Sequence, residues 1–461
     1  MKKRNRLVSL LLSGALVVTP VLGMDGLELE AKAAYKQFAG EEWYDQIETV
    51  EVNREAARAT FTPYESAEKA LKNEKSALDN VDETGSKWYK TLNGEWNFKY
   101  AEKPADRLNT KRGEDAKNYK EDWNTEGWDK IQVPSNIQTQ KDEKGNFKYD
   151  KPIYVNQTYP WANYEKVEYN TNGKNKPVAP TVKNSVGQYK RTFEIPADWD
   201  GREVFVSFQG VESAFYLYVN GERVGYAEDS YTADEFNITD YLKEGENTIA
   251  VEVYRWSTGS YLENQDFIRL SGIFRDVYLY SKDKVEIRDY FVKTDLDENY
   301  ENATLTLDAD IRSLDKNVSG KYTVKADLYE MDSDKKVWDS PLSFDVDVKA
   351  GKATVEESAD DKGQRGSGSK EVVNPKKWFA DTPNLYRLLI QLVDEDGKVI
   401  ETTCQRVGFR EIDKVDINEE GQEQAQINGK KIMFRGTNRH ETDNVDGRAL
   451  TKEDIRTDLM T

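Results

Sequence analysis

Three polar residues have neighbours in the sequence that are compatible with a ligand-binding site. Asp266 is the first of them. It ends a run of aromatic and polar residues that begins at Arg255. An ionised carboxylate can accept hydrogen bonds from two neighbouring hydroxyl groups at once, and it can also bind a hard cation through oxygen. An ion pair with Arg269 or Arg275 would explain the same residue without any ligand. The residues alone leave both explanations open.

Asn156 and His440 are the other two candidates. Asn156 lies between Ile153-Tyr154 and Thr158-Tyr159-Pro160, and its amide could donate to one ligand hydroxyl and accept from another. A loop asparagine that bonds to its own backbone is the alternative. His440 is the only histidine among 461 residues and follows a short apolar segment. Active sites of parallel barrels lie at the carboxyl ends of the strands, so a barrel strand here would place His440 in such a site. A surface or core histidine is the alternative.

Two further features are interpreted as structural. Cys404 is the only cysteine, so the chain has no internal disulfide, and its alternating surroundings favour a small core residue. Asp394-Glu395-Asp396-Gly397 resembles part of a calcium loop but lacks the twelve-residue ligand spacing. A hairpin turn explains this tetrad better.

The overall charge limits the classes of molecule that this chain can bind. The chain has 66 basic and 85 acidic residues, which gives a formal net charge of −19. Such a surface repels nucleic acid and anionic lipid, so no nucleic-acid partner is expected. A neutral polar ligand remains compatible with it.

The first 33 residues predict a secretory signal peptide. A basic start with Lys2, Lys3, Arg4 and Arg6 precedes an apolar run from Leu7 to Leu22, and Ala31-Lys32-Ala33 offers a cleavage site. The apolar run is short and contains Pro20, which argues against a membrane anchor. We therefore expect a secreted or cell-surface bacterial protein with no membrane span.

Hydrophobic periodicity predicts a mainly β protein. After an N-terminal arm (34–84) with a helix over 64–80, alternating strands begin near residue 85. Asn220-Gly221 predicts a type I′ hairpin turn, because both central residues of that turn need positive φ. Short strands with turns between them predict one β-sandwich over 85–283 and a second over 284–411. The polar, glycine-rich segment 360–370 predicts a mobile loop.

The last fifty residues (412–461) predict a different architecture. An apolar strand ends at Gly436, a long loop follows, and Thr451 is the predicted N-cap of a final helix. A strand, a loop and a helix make one β/α unit, whereas a parallel barrel needs eight. This segment is therefore expected to be the truncated start of a TIM barrel.

The chain resembles the β-galactosidases of glycoside hydrolase family 2. The motifs that carry the resemblance occur in the family's order: Leu92-Asn-Gly-Glu-Trp96, Val133-Pro-Ser-Asn136, Pro152-Ile-Tyr-Val-Asn-Gln-Thr-Tyr-Pro160, Arg255-Trp-Ser-Thr-Gly-Ser-Tyr-Leu-Glu-Asn-Gln-Asp266, Ser271-Gly-Ile-Phe-Arg-Asp-Val277, Val407-Gly-Phe-Arg410 and Phe434-Arg-Gly-Thr-Asn-Arg-His-Glu441. The arm 43–64 resembles the family's N-terminal arm. The resemblance implies a galactose-binding-like jelly-roll sandwich, an immunoglobulin-like sandwich and the first β/α unit of a catalytic barrel.

The resemblance also implies an activity. Family members hydrolyse terminal β-D-galactose residues by a retaining mechanism with two carboxylates, and they use Mg²⁺ and Na⁺. By this resemblance Asp266 contacts the galactose hydroxyls and a sodium ion, Asn156 reaches into the active site, and His440 binds the sugar and stabilises the transition state. A full-length enzyme could form a homo-oligomer. A sister activity (β-glucuronidase or β-mannosidase) or a stand-alone carbohydrate-binding module is the alternative.

Some parts of the family's chemistry are expected to be missing. The resemblance places the acid/base and nucleophile glutamates on later barrel strands, beyond Thr461, so this chain alone is expected to be inactive. Asn418-Glu419-Glu420-Gly421 imitates the acid/base motif but precedes the first barrel strand, so we interpret it as a polar turn. Thr258 stands where some members carry an aspartate that helps to hold a structural magnesium ion. That magnesium site is therefore in doubt.

Overall fold

The computed structural model describes residues 42–76, 85–108, 124–156, 158–161, 179–180, 183–352, 359, 361–416, 421 and 423–461. The predicted signal peptide (1–33) and the predicted polar turn at 418–420 lie outside these residues. No helix within them is long and apolar enough to cross a membrane.

Two antiparallel sheets form the first sandwich. The larger sheet has the strand order β1 (Glu51–Val52), β10 (Glu222–Glu228), β9 (Ala214–Val219), β12 (Glu246–Tyr254), β6 (Val186–Glu194), β3 (Gly94–Ala101) and β4 (Asp129–Val133). The smaller sheet has the order β11 (Asp234–Asn237), β7 (Glu203–Phe208), β15 (Val277–Lys282) and β2 (Tyr89–Thr91). Two short antiparallel ladders accompany them, β5 (Ile153–Val155) with β13 (Phe267–Arg269) and β8 (Val211–Glu212) with β14 (Gly272–Ile273).

Alternation along the strands builds the core of this sandwich. Trp96 and Phe98 of β3 are fully buried, and they belong to one cluster with Leu217 of the same sheet and Phe208 of the facing sheet. The predicted hairpin is confirmed, because Asn220 and Gly221 connect β9 to β10 with φ of 50° and 84°.

The second sandwich also has two antiparallel sheets. One has the order β16 (Val285–Leu296), β17 (Ala303–Ser313) and β20 (Gln364–Val372). The other has the order β19 (Leu342–Val348), β18 (Gly320–Glu330), β21 (Tyr386–Val393) and β22 (Val399–Val407). The tetrad at 394–397 forms the turn between β21 and β22, in which Asp394 Oδ1 accepts hydrogen bonds from the backbone of Asp396 and Lys398. The predicted hairpin turn is therefore confirmed.

The mobile loop predicted over 360–370 is wrong for most of its length, because residues 364–372 form β20. This strand pairs with β17 over nine residues. A Cβ atom at Gly366 would come within 2.7 Å of Phe344, and one at Gly368 would come equally close. The glycines are thus needed where a phenylalanine of the facing sheet packs directly on the strand. The segment has the glycine-rich composition of a linker. Gly366 and Gly368 are two residues apart, however, and therefore lie on the same face of the strand.

Helix α1 (Ala67–Ser76) packs on the second sandwich and is shorter than the predicted helix, part of which falls outside the described residues. Its buried Ala70 belongs to a cluster with Tyr64, Leu389 and Cys404. Cys404 is buried, and burial raises the pKa of its thiol well above the ordinary value. It is the core residue that the sequence predicts.

The C-terminal segment forms a small sheet and a helix. The sheet has the order β23 (Ile412–Asp416), β24 (Glu423–Ile427) and β25 (Lys430–Lys431), and helix α2 covers Lys452–Met460. The predicted N-cap is confirmed, since the Thr451 hydroxyl accepts a hydrogen bond from the backbone N–H of Asp454 at 3.2 Å.

The apolar barrel strand predicted up to Gly436 is not formed beyond Lys431. Met433 and Phe434 are 72% and 84% exposed, and neither belongs to a strand. A parallel strand takes its hydrogen bonds from neighbouring strands, and in a barrel those neighbours come from other β/α units. One such unit therefore cannot form a paired strand by itself. The mainly β fold class is nevertheless confirmed.

Candidate functional site

The ladder of β5 and β13 brings two of the predicted site residues together. Its register pairs Phe267 with Val155 and Ile268 with Tyr154. Extending this register by one residue places Asp266 opposite Asn156, at the end of the ladder where both side chains are exposed. Two polar residues that are 110 positions apart in sequence thus share one rim of the first sandwich.

The Asp266 carboxylate takes its hydrogen bond from a tyrosine. The Tyr154 hydroxyl donates to Asp266 Oδ1 at 2.5 Å. This hydrogen bond raises the pKa of Tyr154, because ionising the phenol would remove the donor and place a second negative charge beside the carboxylate. Tyr154 therefore orients the carboxylate at the rim and stays neutral there.

The alternative explanation of Asp266, an ion pair with a nearby arginine, is not observed in the described part of the chain. The Arg269 guanidinium donates to the carbonyl of Glu263 at 2.5 Å, to the carbonyl of Gln265 and to Asn264 Oδ1 at 2.7 Å. Arg275 Nη1 donates to the carbonyl of Tyr231 at 2.8 Å. Both arginines bind the backbone around the site, which leaves the Asp266 carboxylate available to a ligand.

An aromatic cluster supports the loop that carries Asp266. Trp161 stacks on Tyr159 with ring centroids 5.2 Å apart, and it meets Tyr261 and Trp256 edge-on. Trp161 is 4% exposed. Its rings therefore hold the loop in place and do not offer a free face to a ligand.

His440 lies beside the same rim. Its ring is 6.2 Å from the ring of Phe267, and both residues line a cavity of about 540 Å³ between the sandwich and the C-terminal segment. Gln265 also lines the cavity, so the residues on both sides of Asp266 face it. Asn156 and Asp266 themselves are not among the lining residues. The structure therefore brings the three candidates to one region without placing all of them in one closed pocket.

Sequence reasoning missed the residue that joins the two sides of this cavity. Arg448 of the C-terminal segment is buried in the first sandwich against Glu212, Tyr231 and Asn136. Its backbone N–H donates to Asn136 Oδ1 across a separation of 312 residues. No local pattern could reveal such contacts, although Asn136 belongs to one of the family motifs.

Gly447, which precedes Arg448, supplies a first test. It has φ of +68°, and a Cβ atom there would lie 2.6 Å from Asn136 Oδ1. We expect Gly447→Ala to lower the melting temperature by several degrees more than Gly421→Ala does. Gly421 is a matched control, since its φ is +76° but none of the described residues has an atom within 4 Å of its Cβ position. Equal losses in the two variants would show that the close approach to Asn136 contributes nothing.

Known protein families match along the chain. The model of the glycosyl hydrolases family 2 sugar binding domain matches residues 89–283, the central family 2 model matches 285–410, and the family's TIM barrel model matches 416–461. The chain belongs to glycoside hydrolase family 2. The predicted family is therefore confirmed.

Curated family 2 relatives cover most of this chain. A β-galactosidase of Priestia megaterium is 43% identical over 421 residues, which are 91% of this chain and 36% of the relative. β-Galactosidases of Halalkalibacterium halodurans and Clostridium acetobutylicum are 37% and 35% identical, also over 91% of this chain and over 36% and 40% of their own length. The chain thus spans little more than a third of the relatives that it matches.

Solved structures show the same fold. A Bacteroides uniformis β-glucuronidase aligns with a TM-score of 0.60 at 21% identity, over 81% of this chain and 38% of its own. A Bacteroides vulgatus β-glycosidase aligns with a TM-score of 0.56 at 22% identity, over 81% of this chain and 40% of its own. At these identities the likeness concerns the family 2 fold alone.

The family's metal ions find few ligands in the described residues. No group of three or more histidine, cysteine, aspartate or glutamate side chains converges there. Asp266, to which the resemblance assigns a sodium ion, carries one exposed carboxylate. Thr258 donates a hydrogen bond from its hydroxyl to the buried Glu228 at 3.2 Å. It stands where some family members carry an aspartate, so an uncharged group that is already hydrogen bonded replaces a charged one. Thr258 therefore supplies no negative charge to a magnesium ion.

The buried carboxyl group of Glu228 is expected to make the folding stability of this family 2 chain depend on pH. Burial raises its pKa to about 7, even though Tyr226, Gly259 and Thr258 donate hydrogen bonds to it. An unfolded carboxyl ionises near pH 4.5, so the folded state binds more protons between these values. Stability should therefore fall as pH rises through this window. Between pH 5 and 8 we expect the wild type to lose about 2 kcal/mol more than Glu228→Gln in urea unfolding. Parallel pH profiles would contradict this prediction.

Proposed function

We propose that this chain is the N-terminal part of a β-galactosidase that releases terminal β-D-galactose from its substrates with retention of configuration. The observation that carries the proposal is the β5–β13 ladder: Asn156 and Asp266 directly flank its last pair, Val155 and Phe267, and the Phe267 ring lies 6.2 Å from the His440 ring. The three curated relatives described above, all named β-galactosidases, support the same substrate class.

The three residues have different roles in this proposal. Asp266, held by Tyr154, accepts hydrogen bonds from galactose hydroxyls and offers an oxygen ligand to a sodium ion. The Asn156 amide donates to one hydroxyl and accepts from another. The His440 imidazole binds the sugar from the barrel side and stabilises charge as the transition state forms.

The bond-breaking step needs groups that we place elsewhere in the full-length enzyme. A retaining glycosidase uses two carboxyl groups about 5–5.5 Å apart, one as acid/base and one as nucleophile. We propose that both are glutamates of later barrel strands, together with the ligands of an active-site magnesium ion. This chain supplies the sugar contacts, and by itself it should be inactive.

A uronic acid substrate fits the cavity less well. A glucuronide carries a carboxylate that needs a cationic partner. The three arginines at the cavity are already engaged: Arg439 Nε donates to Asp458 at 3.0 Å, Arg448 pairs with Glu212, and Arg275 binds backbone carbonyls. The described residues thus favour a neutral sugar.

An activity assay tests the proposal. The full-length enzyme should hydrolyse aryl β-galactosides in preference to aryl β-glucuronides and β-mannosides, whereas the 461-residue chain should hydrolyse none of them. A preference for the glucuronide would overturn the galactosidase assignment. Binding of galactose or lactose by the chain alone in calorimetry would favour a stand-alone carbohydrate-binding module instead.

The cellular location is part of the proposal. Residues 1–33 have the basic, apolar and small-residue order of a signal peptide. We propose that the protein is exported to the exterior or the surface of a bacterial cell. N-terminal sequencing of the mature protein should find Ala34 or a residue close to it, and a mature protein that keeps Met1 would contradict export by this route.

A further inference from the structure

Arg448 reaches from the C-terminal segment into the first sandwich, and it binds the strand that follows Asp266. Its Nη1 pairs with the Glu212 carboxylate and donates to the Tyr231 hydroxyl at 2.6 Å. Its Nη2 donates to the carbonyl of Ile268, the central residue of β13. Arg448 is 9% exposed and Glu212 is 5% exposed. The contact is thus a buried one across the junction between the sandwich and the barrel segment.

The strand that Arg448 binds has little support of its own. β13 has three residues, and β5, its only partner strand in the described part of the chain, also has three. A two-stranded ladder is marginally stable by itself in water. Its position must therefore come from contacts outside the ladder. Arg255 donates to the carbonyl of Arg269 and so links the ladder to the first sandwich, and Arg448 links the ladder to the barrel segment.

The same guanidinium also lies against the contact that leads to His440. Its carbon is 4.2 Å from the centre of the Phe267 ring. The same ring lies 6.2 Å from the ring of His440. Phe267 directly follows Asp266 in the chain. Arg448 therefore touches both the backbone that carries Asp266 and the ring that supports His440.

We propose that Arg448 is a positioning residue that sets the distance between Asp266 on the sandwich and His440 on the barrel segment, so that both reach one sugar. This inference rests on the proposed function and adds a residue to the same site. Arg448 itself does not contact the sugar. It acts by holding β13 and the barrel segment in one arrangement.

A purely structural role would leave a different signature. Removing one partner of a buried ion pair leaves an uncompensated charge and destabilises the fold, whereas replacing both partners with neutral groups is often tolerated. The double variant Arg448→Met/Glu212→Gln therefore removes the hydrogen bond to Ile268 without leaving a buried charge. If the role of Arg448 is purely structural, the double variant should keep both its stability and its activity. If Arg448 positions the site, the double variant should keep its stability but lose activity.

The experiment uses the full-length enzyme and a matched control. Arg58 and Glu235 form another buried pair, 2.8 Å apart, that joins the N-terminal arm to the first sandwich away from the cavity. The control is therefore Arg58→Met/Glu235→Gln. We expect kcat/KM for an aryl β-galactoside to fall at least about tenfold in Arg448→Met/Glu212→Gln, mainly through KM, and to stay within about twofold in the control. Arg448→Lys, which keeps a charge but not the planar fork, should be intermediate.

A second readout does not depend on the substrate. Hydrogen exchange of segment 263–269 should be faster in the Arg448→Met/Glu212→Gln variant than in the wild type, and unchanged in the control. Wild-type kinetics with unchanged exchange would overturn the inference. If the wild type hydrolyses no galactoside, the proposed function fails, and the exchange result alone decides whether Arg448 positions this segment. If the double variant does not fold, Arg448→Lys is judged by the same two measurements.

Discussion

Asp266→Asn should lower kcat/KM of the full-length enzyme for aryl β-galactosides by more than about tenfold. The amide keeps the shape of the side chain but loses the negative charge, so hydrogen bonds to sugar hydroxyls weaken and a sodium ion loses a charged ligand. Tyr154, which donates to Asp266 Oδ1 at 2.5 Å, can still donate to the amide oxygen. The loss would therefore report on ligand binding more than on local folding.

Two companion variants sharpen this experiment. Asp240→Asn makes the same chemical change at an exposed position in a short 3₁₀ turn of the same sandwich, and it should leave kcat/KM unchanged. Tyr154→Phe should give a smaller loss than Asp266→Asn, because the carboxylate keeps its charge and loses only its orienting partner. Unchanged kinetics in Asp266→Asn would remove Asp266 from the site.

Arg312→Met should destabilise the folded chain by about 3–5 kcal/mol. Arg312 is 1% exposed and lies where the arm meets the second sandwich. It pairs with Glu55 of the arm at 2.8 Å and with Glu286 of β16 at 2.6 Å. Burial raises the pKa of Glu55 to about 7, despite Arg312 and Arg288 beside it. Removing Arg312 would leave Glu55 with Arg288 at 3.5 Å and Glu286 with Lys282 at 3.9 Å, and both distances are longer than those of the ion pairs that are lost.

Chemical denaturation measures this loss, and Arg365 of the neighbouring strand β20 provides a control. Arg365 forms a bidentate pair with Asp310 of β17, but its side chain is 67% exposed. Arg365→Met should therefore cost less than about 1 kcal/mol. Similar losses in the two variants would show that burial of the Arg312 network does not matter. A larger loss than in the control would show that the buried ion pairs of Arg312 with the arm and with β16 stabilise the fold.

Much of the fold follows from local sequence. Strict alternation predicts strands such as β3 (Gly94–Ala101), and Asn220-Gly221 predicts the hairpin after β9, because each signal lies within a few neighbouring residues. The ordered motifs predict the family for the same reason. β20 escapes this reasoning, since its glycines are explained by Phe344, which reaches them from another sheet.

The candidate site is likewise only partly predictable from local sequence. Residue type and motif were enough to single out Asn156, Asp266 and His440, because their hydrogen-bonding groups are properties of the side chains themselves. Only the tertiary structure decided that Asp266 binds Tyr154 and pairs with no arginine in the described residues, and that Arg448 links the two sides of the cavity. These contacts depend on strand register and on chain segments more than a hundred residues apart. Local sequence determines which groups a chain carries, and packing determines which of them meet.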